Sequence, residues 1–515
     1  MAGAVRDPPR SQRESPQRSP LGADWLVPRK YLGYNPVPGM ATFHILNFGC
    51  RASQADGAAL KQQLLQAGLE EVASLEKSQV AILNTCTVTA TADAEVRQFV
   101  RRIHRRNPQC RILVTGCYAQ RAPEEIARLE GVAWVVGNSH KHLVSALASK
   151  PPQPATPTSP SSVAASSLVQ IQGSPAGGIN HLTNDLSSLP DPEPRTPDFA
   201  QVLVGEITEE FHFAPVFPDD RTRPTLKIQD GCNARCSFCV IPSVRGRSRS
   251  LEPGKVLAEV RQLEKAGYQE VVLSGINLGS YGRDLDQRTG FLEILERLLR
   301  ESSIARIRIS SIELMDVSAA LIRLVAQEPR LAKHFHIPLQ SGCDRILRLM
   351  NRRYWARHYA ERILAIHDAI PHCGIGADVM VGFPGETDQD HASSLRFIDS
   401  LPFTYLHVFP YSARPGTPAA TAPAQVNGRL ARQRSQEIRA VIGAKREAYL
   451  AAQVGRSIPA LTLGEVEDGA RVALTTNYLK ALLPGSEIPA NRLVDFRVGR
   501  ATANRLFGYL DAPRE

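Results

Sequence analysis

Three cysteines in one short stretch have the residue type and spacing of a metal-cluster site. Cys232, Cys236 and Cys239 follow one another at intervals of four and three residues, and no fourth cysteine comes closely after them. Cysteine thiolates ordinarily hold all four irons of a cubane iron–sulfur cluster. Three thiolates would leave one iron open, and an open iron can bind a substrate or cofactor. These residues, the triplet cysteines, therefore predict a reactive cluster rather than a simple electron carrier.

Zinc and disulfide bonds are the two alternatives for these thiols. A structural zinc site needs four protein ligands, usually as two separated pairs, and Val240, Ile241 and Pro242 add neither His nor Cys. Disulfide frameworks are typical of small secreted chains, whereas this chain has 515 residues and nine cysteines, an odd number. The local spacing favours an iron–sulfur cluster.

A second set of three cysteines is spread along the N-terminal part of the chain. Cys50, Cys86 and Cys117, the strand-end cysteines, each end an apolar run within a turn that contains Gly or Thr. A single cysteine of this kind is more often just a small buried residue. The position that all three share favours a ligand role. The other cysteines share no such position and are interpreted as structural: Cys110, Cys343 and Cys373.

The elements around the strand-end cysteines predict a parallel sheet. Between residues 41 and 149, strand-like runs at 43–50, 80–86 and 112–117 alternate with segments of helical pattern. In a parallel sheet the carboxyl ends of the strands share one edge, where ligands bind. The strand-end cysteines are therefore predicted to converge at that edge.

The alternation of strands and helices resumes between residues 223 and 448 with six strand-like runs. Eight are needed to close a full barrel, so a partial (β/α)6 barrel is predicted, with its functional face at the carboxyl ends of the strands. The triplet cysteines come just after the first strand, at that face. The six runs are residues 225–229, 270–274, 306–310, 334–339, 377–382 and 405–411.

The rest of the chain divides into a tail, a linker and a β-rich end. Residues 1–40 are rich in Pro, Arg and Ser and are predicted to be a disordered tail; Met40 is a candidate start of the chain alongside Met1. Residues 150–215 are predicted to be a Pro/Ser-rich linker or insertion. Residues 450–515 predict a small β-barrel of the kind that binds oligonucleotides. The predicted folded domains are 41–149, 216–449 and 450–515.

Composition limits the partners and the compartment. The formal net charge is +10 and the isoelectric point is near 9.2, a balance compatible with a nucleic-acid partner. No apolar run of about 18 residues is present, so no membrane-spanning segment is expected. The N-terminus lacks the continuous apolar core of a secretory signal. A reducing, cytoplasmic setting, in which free thiolates survive, is therefore expected.

Residues 232–250, CNARCSFCVIPSVRGRSRS, resemble the radical S-adenosylmethionine (SAM) motif in its methylthiotransferase form. In that form an aromatic residue precedes the last Cys and IPxxRGxxRS follows it. The resemblance extends from about residue 41 to 513. It implies an α/β protein with an N-terminal parallel-sheet domain, a central partial (β/α)6 radical SAM barrel and a C-terminal OB-like TRAM barrel.

Two segments resemble the family branch that modifies N6-threonylcarbamoyladenosine (t6A) at position 37 of tRNA: residues 84–89, NTCTVT, and 411–417, YSARPGT. The implied activity is methylthiolation of C2 of t6A, giving ms2t6A. Isopentenyladenosine-37 and an aspartate of a ribosomal protein are alternative substrates within the family. A non-enzymatic RNA-binding protein with a structural metal site is a more remote alternative. Ser53 departs from the Asn that the family usually carries there, which weakens any role for that position.

The resemblance also implies the cofactors. The triplet cysteines would hold a [4Fe–4S] cluster whose open iron binds SAM and whose electron releases a 5′-deoxyadenosyl radical. The strand-end cysteines would hold an auxiliary [4Fe–4S] cluster that carries the sulfur for C2. A second SAM in each turnover would supply the methyl group. An electron donor such as a flavodoxin or ferredoxin and a sulfur donor are the further partners.

Residues near these cysteines are candidates for binding SAM and RNA. Polar and glycine residues at strand ends can approach SAM, with ordinary turn chemistry as the alternative: Ser274, Gly275, Asn277, Ser310, Ser311 and Gly382. Arginines near the cysteines can contact phosphates of the tRNA anticodon loop, with a solvated surface as the alternative: Arg101, Arg102, Arg245 and Arg247.

Overall fold

The computed structural model describes residues 41–150, 200–207 and 222–511. In chain order these residues form a parallel sheet with its helices, a larger βα core and a small closed β-barrel. The predicted tail at 1–40 and most of the predicted linker at 150–215 lie outside the described residues.

Short buried apolar runs form the N-terminal sheet. Its elements are β1 (Thr42–Asn47), α1 (Arg51–Gln66), β2 (Glu70–Glu71), β3 (Val80–Thr85), α2 (Ala90–Arg106), β4 (Arg111–Gly116), α3 (Cys117–Arg121), α4 (Pro123–Ala127), β5 (Val132–Val136), α5 (Val144–Ser149) and β6 (Gln201–Leu203). The strand order is β2-β1-β3-β4-β5-β6, and every pairing is parallel. Every residue of β3 and β5 is buried, as expected for strands covered on both faces. The predicted parallel sheet is confirmed.

One strand of this sheet comes from the segment whose composition predicts a linker. Gln201–Leu203 pairs in parallel with β5, with Gln201 opposite Trp134. The predicted Pro/Ser-rich linker or insertion at 150–215 therefore contains three residues that belong to the N-terminal sheet. The run is too short and too close to prolines to stand out in sequence, and it is stabilised by pairing at a sheet edge and by burial of Leu203.

The core contains six parallel strands and one short antiparallel pair of strands. Its elements are β7 (Thr225–Lys227), β8 (Gln229–Asp230), α6 (Ile241–Arg245), β9 (Arg249–Ser250), α7 (Pro253–Lys265), β10 (Glu270–Ser274), α8 (Phe291–Glu301), β11 (Arg306–Ile309), α9 (Ala319–Gln327), β12 (His334–His336), α10 (Asp344–Leu349), α11 (Ala356–Ala369), β13 (Gly374–Val381), α12 (Asp388–Ser400), β14 (Tyr405–Pro410) and α13 (Gly428–Ala451). Parallel pairings give the orders β7-β10-β11 and β12-β13-β14. A parallel bridge between Ser311 and His336 joins the two halves. The partial (β/α)6 barrel is confirmed.

Five antiparallel and parallel pairings close the C-terminal barrel. Its strands are β15 (Ser457–Glu467), β16 (Ala470–Thr475), β17 (Lys480–Pro484), β18 (Leu493–Ala501) and β19 (Leu506–Leu510), in the order β15-β16-β17-β19-β18. The turn between β16 and β17 packs against the core, where Arg308 of β11 donates to the Thr476 carbonyl at 3.1 Å. From the same turn, the Tyr478 hydroxyl accepts from Arg51, the residue after Cys50, at 2.8 Å.

The helices were also compared with the length and apolar character of a membrane-spanning helix. Within the described ranges, no helix combines the length and the apolar character needed to cross a bilayer.

Candidate functional site

The triplet cysteines lie in the loop between β8 and α6. Cys232, Cys236 and Cys239 are all partly exposed. Burial raises the pKa of the Cys239 thiol to about 12, and the neighbouring Cys236 and Cys232 thiolates add to the shift. A turn brings two of these residues together, since the Cys239 amide donates to the Cys236 carbonyl at 3.1 Å. A bound metal would reverse the rise in pKa, because a coordinating thiol is deprotonated by the cation.

Two side chains from other parts of the core reach these sulfurs. Arg352 donates from Nη1 to Cys236 Sγ at 3.5 Å and is also paired with Glu313. The Nδ2 atom of Asn277 lies 3.9 Å from Cys232 Sγ. N–H donors and a cation beside thiolates stabilise their negative charge and orient them, as outer partners of metal ligands do.

Five of the six SAM candidates lie at the carboxyl ends of adjacent strands. Ser274, Gly275 and Asn277 end or follow β10, and Ser310 and Ser311 follow β11, which pairs with β10. Asn277 Oδ1 and Ser310 Oγ are buried and have no hydrogen-bond partner. Buried polar atoms are almost always paired, so these two atoms fit the polar groups of a ligand bound at this edge.

Gly382, the sixth SAM candidate, has a structural role. Its φ is +72°, and its amide donates to Glu386 at 2.6 Å. A Cβ at this position would lie 2.6 Å from the Cβ of Ala431 on α13. Glycine is needed here for the turn and for the close approach of the helix. The amide of Gly382 is thus bonded within the protein, and contact of this residue with SAM stays a prediction.

Two further polar residues lie near this edge. Gln340 follows β12 with φ +64°, and its Oε1 is buried without a partner. The rule that selects Ser310, a polar residue directly after a strand, could have found it. Arg352 could not be singled out, because it stands beside Arg353, which is exposed, and a basic run does not indicate which arginine turns inward.

The strand-end cysteines meet at the carboxyl edge of the N-terminal sheet, as predicted. Cys50 precedes α1, Cys86 follows β3 directly and Cys117 begins α3. Burial raises the pKa of the Cys86 thiol to about 12, and the nearby Cys50 and Cys117 thiolates contribute. Gly49, at φ +98°, lets its loop pass so close to Cys86 that a Cβ there would lie 2.7 Å from the sulfur.

The chemistry of both cysteine sets fits a cluster of several irons. Among the residues described, no group of three His, Cys, Asp or Glu side chains is placed to hold one metal ion. In a four-iron cluster each thiolate binds a different iron, so the sulfurs need not surround a single point. Each set offers three neighbouring thiols that a cation would deprotonate. Both sets therefore suit a [4Fe–4S] cluster with one open iron.

The segments that carry the two sets are in direct contact. Cys117 packs against Val240 and Val244 in one apolar cluster, and these valines follow Cys239 in the chain. The auxiliary-cluster candidate and the SAM-cluster candidate are thus held by segments that pack on each other.

Arg245 lies at the centre of this contact. Its side chain is only 2% exposed; Nη1 lies 3.0 Å from both oxygens of Asp230, and Nη2 lies 2.9 Å from Asp56. Its Nε donates to Cys117 Sγ at 3.2 Å. The prediction that Arg245 contacts RNA phosphates is wrong, because this guanidinium is buried and two carboxylates and a thiol already occupy its N–H groups.

Two lysines complete the charged cluster around Arg245. Lys227 pairs with Asp56 and, at 2.7 Å, with Asp230, while Lys141 lies 3.0 Å from Asp56. Burial alone would raise the pKa of Asp230, but Arg245 and Lys227 outweigh it and lower the pKa to about 2. Burial likewise opposes the charge of Asp56, but Lys141, Lys227 and Arg245 outweigh it and hold its pKa well below the usual range, so both carboxylates stay ionised at neutral pH.

The other three RNA candidates are on the surface. Arg101 and Arg102 are exposed on α2, with the Arg102 guanidinium 3.9 Å from the centre of the Phe99 ring. Arg247 is exposed two residues after Arg245. All three side chains are accessible to RNA phosphates, and their RNA contacts stay predictions.

The two segments that resemble the t6A branch contact each other. Arg414, from residues 411–417, donates to Asp93 at 2.6 Å and to the carbonyl of Thr87, from residues 84–89, at 3.3 Å. The hydroxyl of Ser412 accepts from the amide of Ala90 at 2.9 Å. One surface beside Cys86 is thus built from both segments.

Comparison with known proteins gives matches to both halves of the site. Residues 226–398 match the Radical SAM superfamily, and residues 42–137 match an uncharacterized protein family, UPF0004. The first match contains the triplet cysteines, and the second contains the strand-end cysteines.

Curated relatives match over most of their length. "Threonylcarbamoyladenosine tRNA methylthiotransferase MtaB" of Bacillus subtilis is 34% identical over 467 residues, covering 90% of this chain and 94% of the relative. The protein of the same name from Aquifex aeolicus is 34% identical, covering 84% and 94%. A "tRNA-2-methylthio-N(6)-dimethylallyladenosine synthase" of Pelotomaculum thermopropionicum is 31% identical, covering 78% and 81%.

Proposed function

Because this chain belongs to the radical SAM methylthiotransferase family, we propose that it transfers a methylthio group to C2 of t6A at position 37 of tRNA. The observation that carries the proposal is the contact between the two cysteine-bearing segments, made by Cys117 with Val240 and Val244. A sulfur carried at one set would have to reach a carbon activated at the other, and reacting atoms must come within about 3–3.5 Å.

Members of the radical SAM superfamily bind a [4Fe–4S] cluster and SAM. We assign this cluster to Cys232, Cys236 and Cys239. When bound, cluster and SAM supply the radical chemistry that replaces an unactivated aromatic hydrogen, which no side chain can perform. Arg352 and Asn277 donate towards the cysteine sulfurs and hold them in place.

SAM is proposed to bind along the carboxyl ends of β10 and β11. The unpaired buried atoms Asn277 Oδ1 and Ser310 Oγ can each bond one polar group of SAM. Ser274, Gly275 and Ser311 line the same edge.

A second cluster is proposed on Cys50, Cys86 and Cys117. It would carry the sulfur that is transferred, and a second SAM in each turnover would supply the methyl group. The three neighbouring thiols and the match of this segment to a separate protein family support a dedicated site.

The tRNA is proposed to bind with its anticodon loop over both cysteine sets. The exposed Arg101, Arg102 and Arg247 can contact backbone phosphates, and the target base must leave its stack for C2 to be reached. We assign the C-terminal barrel as the family's TRAM domain. An electron donor such as a flavodoxin or ferredoxin and a sulfur donor are the proposed partners, and a tRNA substrate fits a cytoplasmic location.

The t6A substrate is preferred over isopentenyladenosine for two reasons. The Bacillus and Aquifex relatives, at 34% identity, both bear the threonylcarbamoyladenosine name. In this chain the two t6A-like segments form one surface beside Cys86 through Arg414 and Asp93.

An assay with defined tRNAs tests the proposal. The protein is reconstituted anaerobically with iron and sulfide, reduced, and given SAM with tRNA that carries either t6A or isopentenyladenosine at position 37. Mass analysis of the nucleosides should find ms2t6A and no methylthiolated isopentenyladenosine. Cys86→Ala should stop methylthio transfer while sparing some SAM cleavage. The control variant Cys110→Ala changes a buried cysteine outside the site and should retain methylthio transfer. Equal modification of both tRNAs would contradict the substrate assignment.

A further inference from the structure

We propose that Arg245 is a positioning residue of the auxiliary cluster: its guanidinium bonds the Cys117 sulfur, raises the cluster's reduction potential and ties it to the loop that holds the SAM cluster. The inference rests on the proposed second cluster. It gives Arg245, which the sequence alone predicts to bind RNA, a role at the cluster instead.

The hydrogen bond to sulfur is the first argument. Arg245 Nε lies 3.2 Å from Cys117 Sγ, within reach of a charge-assisted N–H···S bond. The same side chain approaches Ser53 Oγ at 3.4 Å, and that hydroxyl lies 3.8 Å from Cys50 Sγ. Arg245 therefore contacts one strand-end sulfur directly and a second through Ser53. Hydrogen bonds to sulfur are among the factors that set the potential of iron–sulfur clusters.

The balance of charge is the second argument. Arg245, Lys141 and Lys227 are three cations around two carboxylates, Asp56 and Asp230. An anion beside a buried cation offsets the cost of burying its charge, so this group of cations favours negative charge at the neighbouring sulfurs. The strand-end cysteines adjoin Arg245, and a cluster bound through their thiolates would place negative charge there.

The path through the chain is the third argument. Arg245 bonds Asp230, which stands two residues before Cys232, and the amide of Cys232 donates to the carbonyl of Gly246 at 3.1 Å. On the other side Arg245 bonds Asp56 of α1, the helix that begins directly after Cys50. One buried side chain thus fixes both cluster-bearing loops.

The test isolates the auxiliary cluster. In full-length protein carrying Cys232→Ala, Cys236→Ala and Cys239→Ala, about four irons should remain, and the midpoint potential is measured by EPR-monitored redox titration. Arg245→Gln removes the charge and the N–H···S bond, and should lower the potential by about 59 mV or more, a tenfold change for one electron. Arg245→Lys keeps the positive charge without the forked geometry. Its midpoint potential should lie between that of the protein with Arg245 and that of Arg245→Gln.

Arg434→Gln is the matched control. Arg434 is also buried, at 3% exposure, and pairs with Glu386 at 2.7 Å in another part of the core. It should disturb folding comparably and leave the auxiliary potential unchanged. Arg245→Gln leaves Asp56 paired with Lys141 and Lys227, and Asp230 paired with Lys227, so the variant is expected to fold.

A measurement without any change at Arg245 makes the test independent of folding. The triple-alanine protein, labelled with arginine that carries 15N only in its guanidinium group and then reduced, should show a 15N hyperfine coupling to the cluster in pulsed EPR. Two results would overturn the role of Arg245 while leaving the second cluster in place. One is a full complement of iron with no 15N coupling, and the other is a midpoint potential that neither Arg245→Gln nor Arg245→Lys changes. Absence of iron from the triple-alanine protein would instead overturn the second cluster and this inference with it.

Discussion

Asp93 holds together the two segments beside Cys86, and replacing it should have a large and specific effect. Its carboxylate accepts from the Thr87 hydroxyl at 2.7 Å, from Arg121 at 2.9 Å and from Arg414 at 2.6 Å. The carboxylate is 5% exposed and the Arg414 side chain 6%. Asp93→Asn keeps the size of the side chain but leaves two largely buried guanidinium groups without their shared anion.

The expected cost follows from this geometry. Breaking a buried ion pair by removing one partner costs about 3–5 kcal/mol. Glu95→Gln removes the same charge from an exposed position on the same helix and should change stability by no more than about 0.5 kcal/mol. Arg414→Gln added to Asp93→Asn removes one stranded cation, so the two changes should couple by about 1–3 kcal/mol.

Urea unfolding of the apoprotein, followed by circular dichroism, measures these values for the single and double variants. A cost for Asp93→Asn no larger than that for Glu95→Gln would refute the buried network. Strict additivity with Arg414→Gln would show that the two segments are not joined through Asp93.

Three further outcomes are expected. Cys236→Ala should abolish SAM cleavage and lower the iron content from about eight to about four per chain; full cleavage would exclude this cysteine as a ligand. Burial opposes the charge of Glu270, but Arg308 outweighs it and lowers the pKa of this carboxyl from 4.5 to about 2. The folded state therefore binds fewer protons than the unfolded state. About 3 kcal/mol of folding stability should be lost as the pH falls from above 4.5 to below 2. Glu270→Gln should flatten this acid dependence in urea titrations. Arg101→Ala with Arg102→Ala should weaken tRNA binding and reduce its salt slope by about 0.7 for each phosphate that the two arginines no longer neutralise; an unchanged slope would argue against their binding to phosphates.

The fold was predictable where local pattern decides it. Apolar runs that end in Cys50, Cys86 and Cys117 form neighbouring parallel strands, and the six runs of the core form six parallel strands. Because strand ends share an edge in such sheets, the convergence of each cysteine set followed from position in the chain alone.

The environment of Arg245 was not predictable from local pattern. A charged residue two positions from another arginine resembles a solvated basic surface, and its burial depends on Asp56, which is 189 residues away in sequence. The contact of Tyr478 with Arg51, 427 residues apart, is equally invisible in sequence. Pairing between distant segments, rather than residue type, decides which arginines face water.

Nucleoside analysis of tRNA from a strain that lacks this protein tests the central claim most directly. Total tRNA should lose ms2t6A and accumulate t6A, while methylthiolated isopentenyladenosine stays unchanged. The intact chain should restore ms2t6A, and the Cys86→Ala chain should not. Persistence of ms2t6A, or loss of the isopentenyl product in its place, would contradict the assignment.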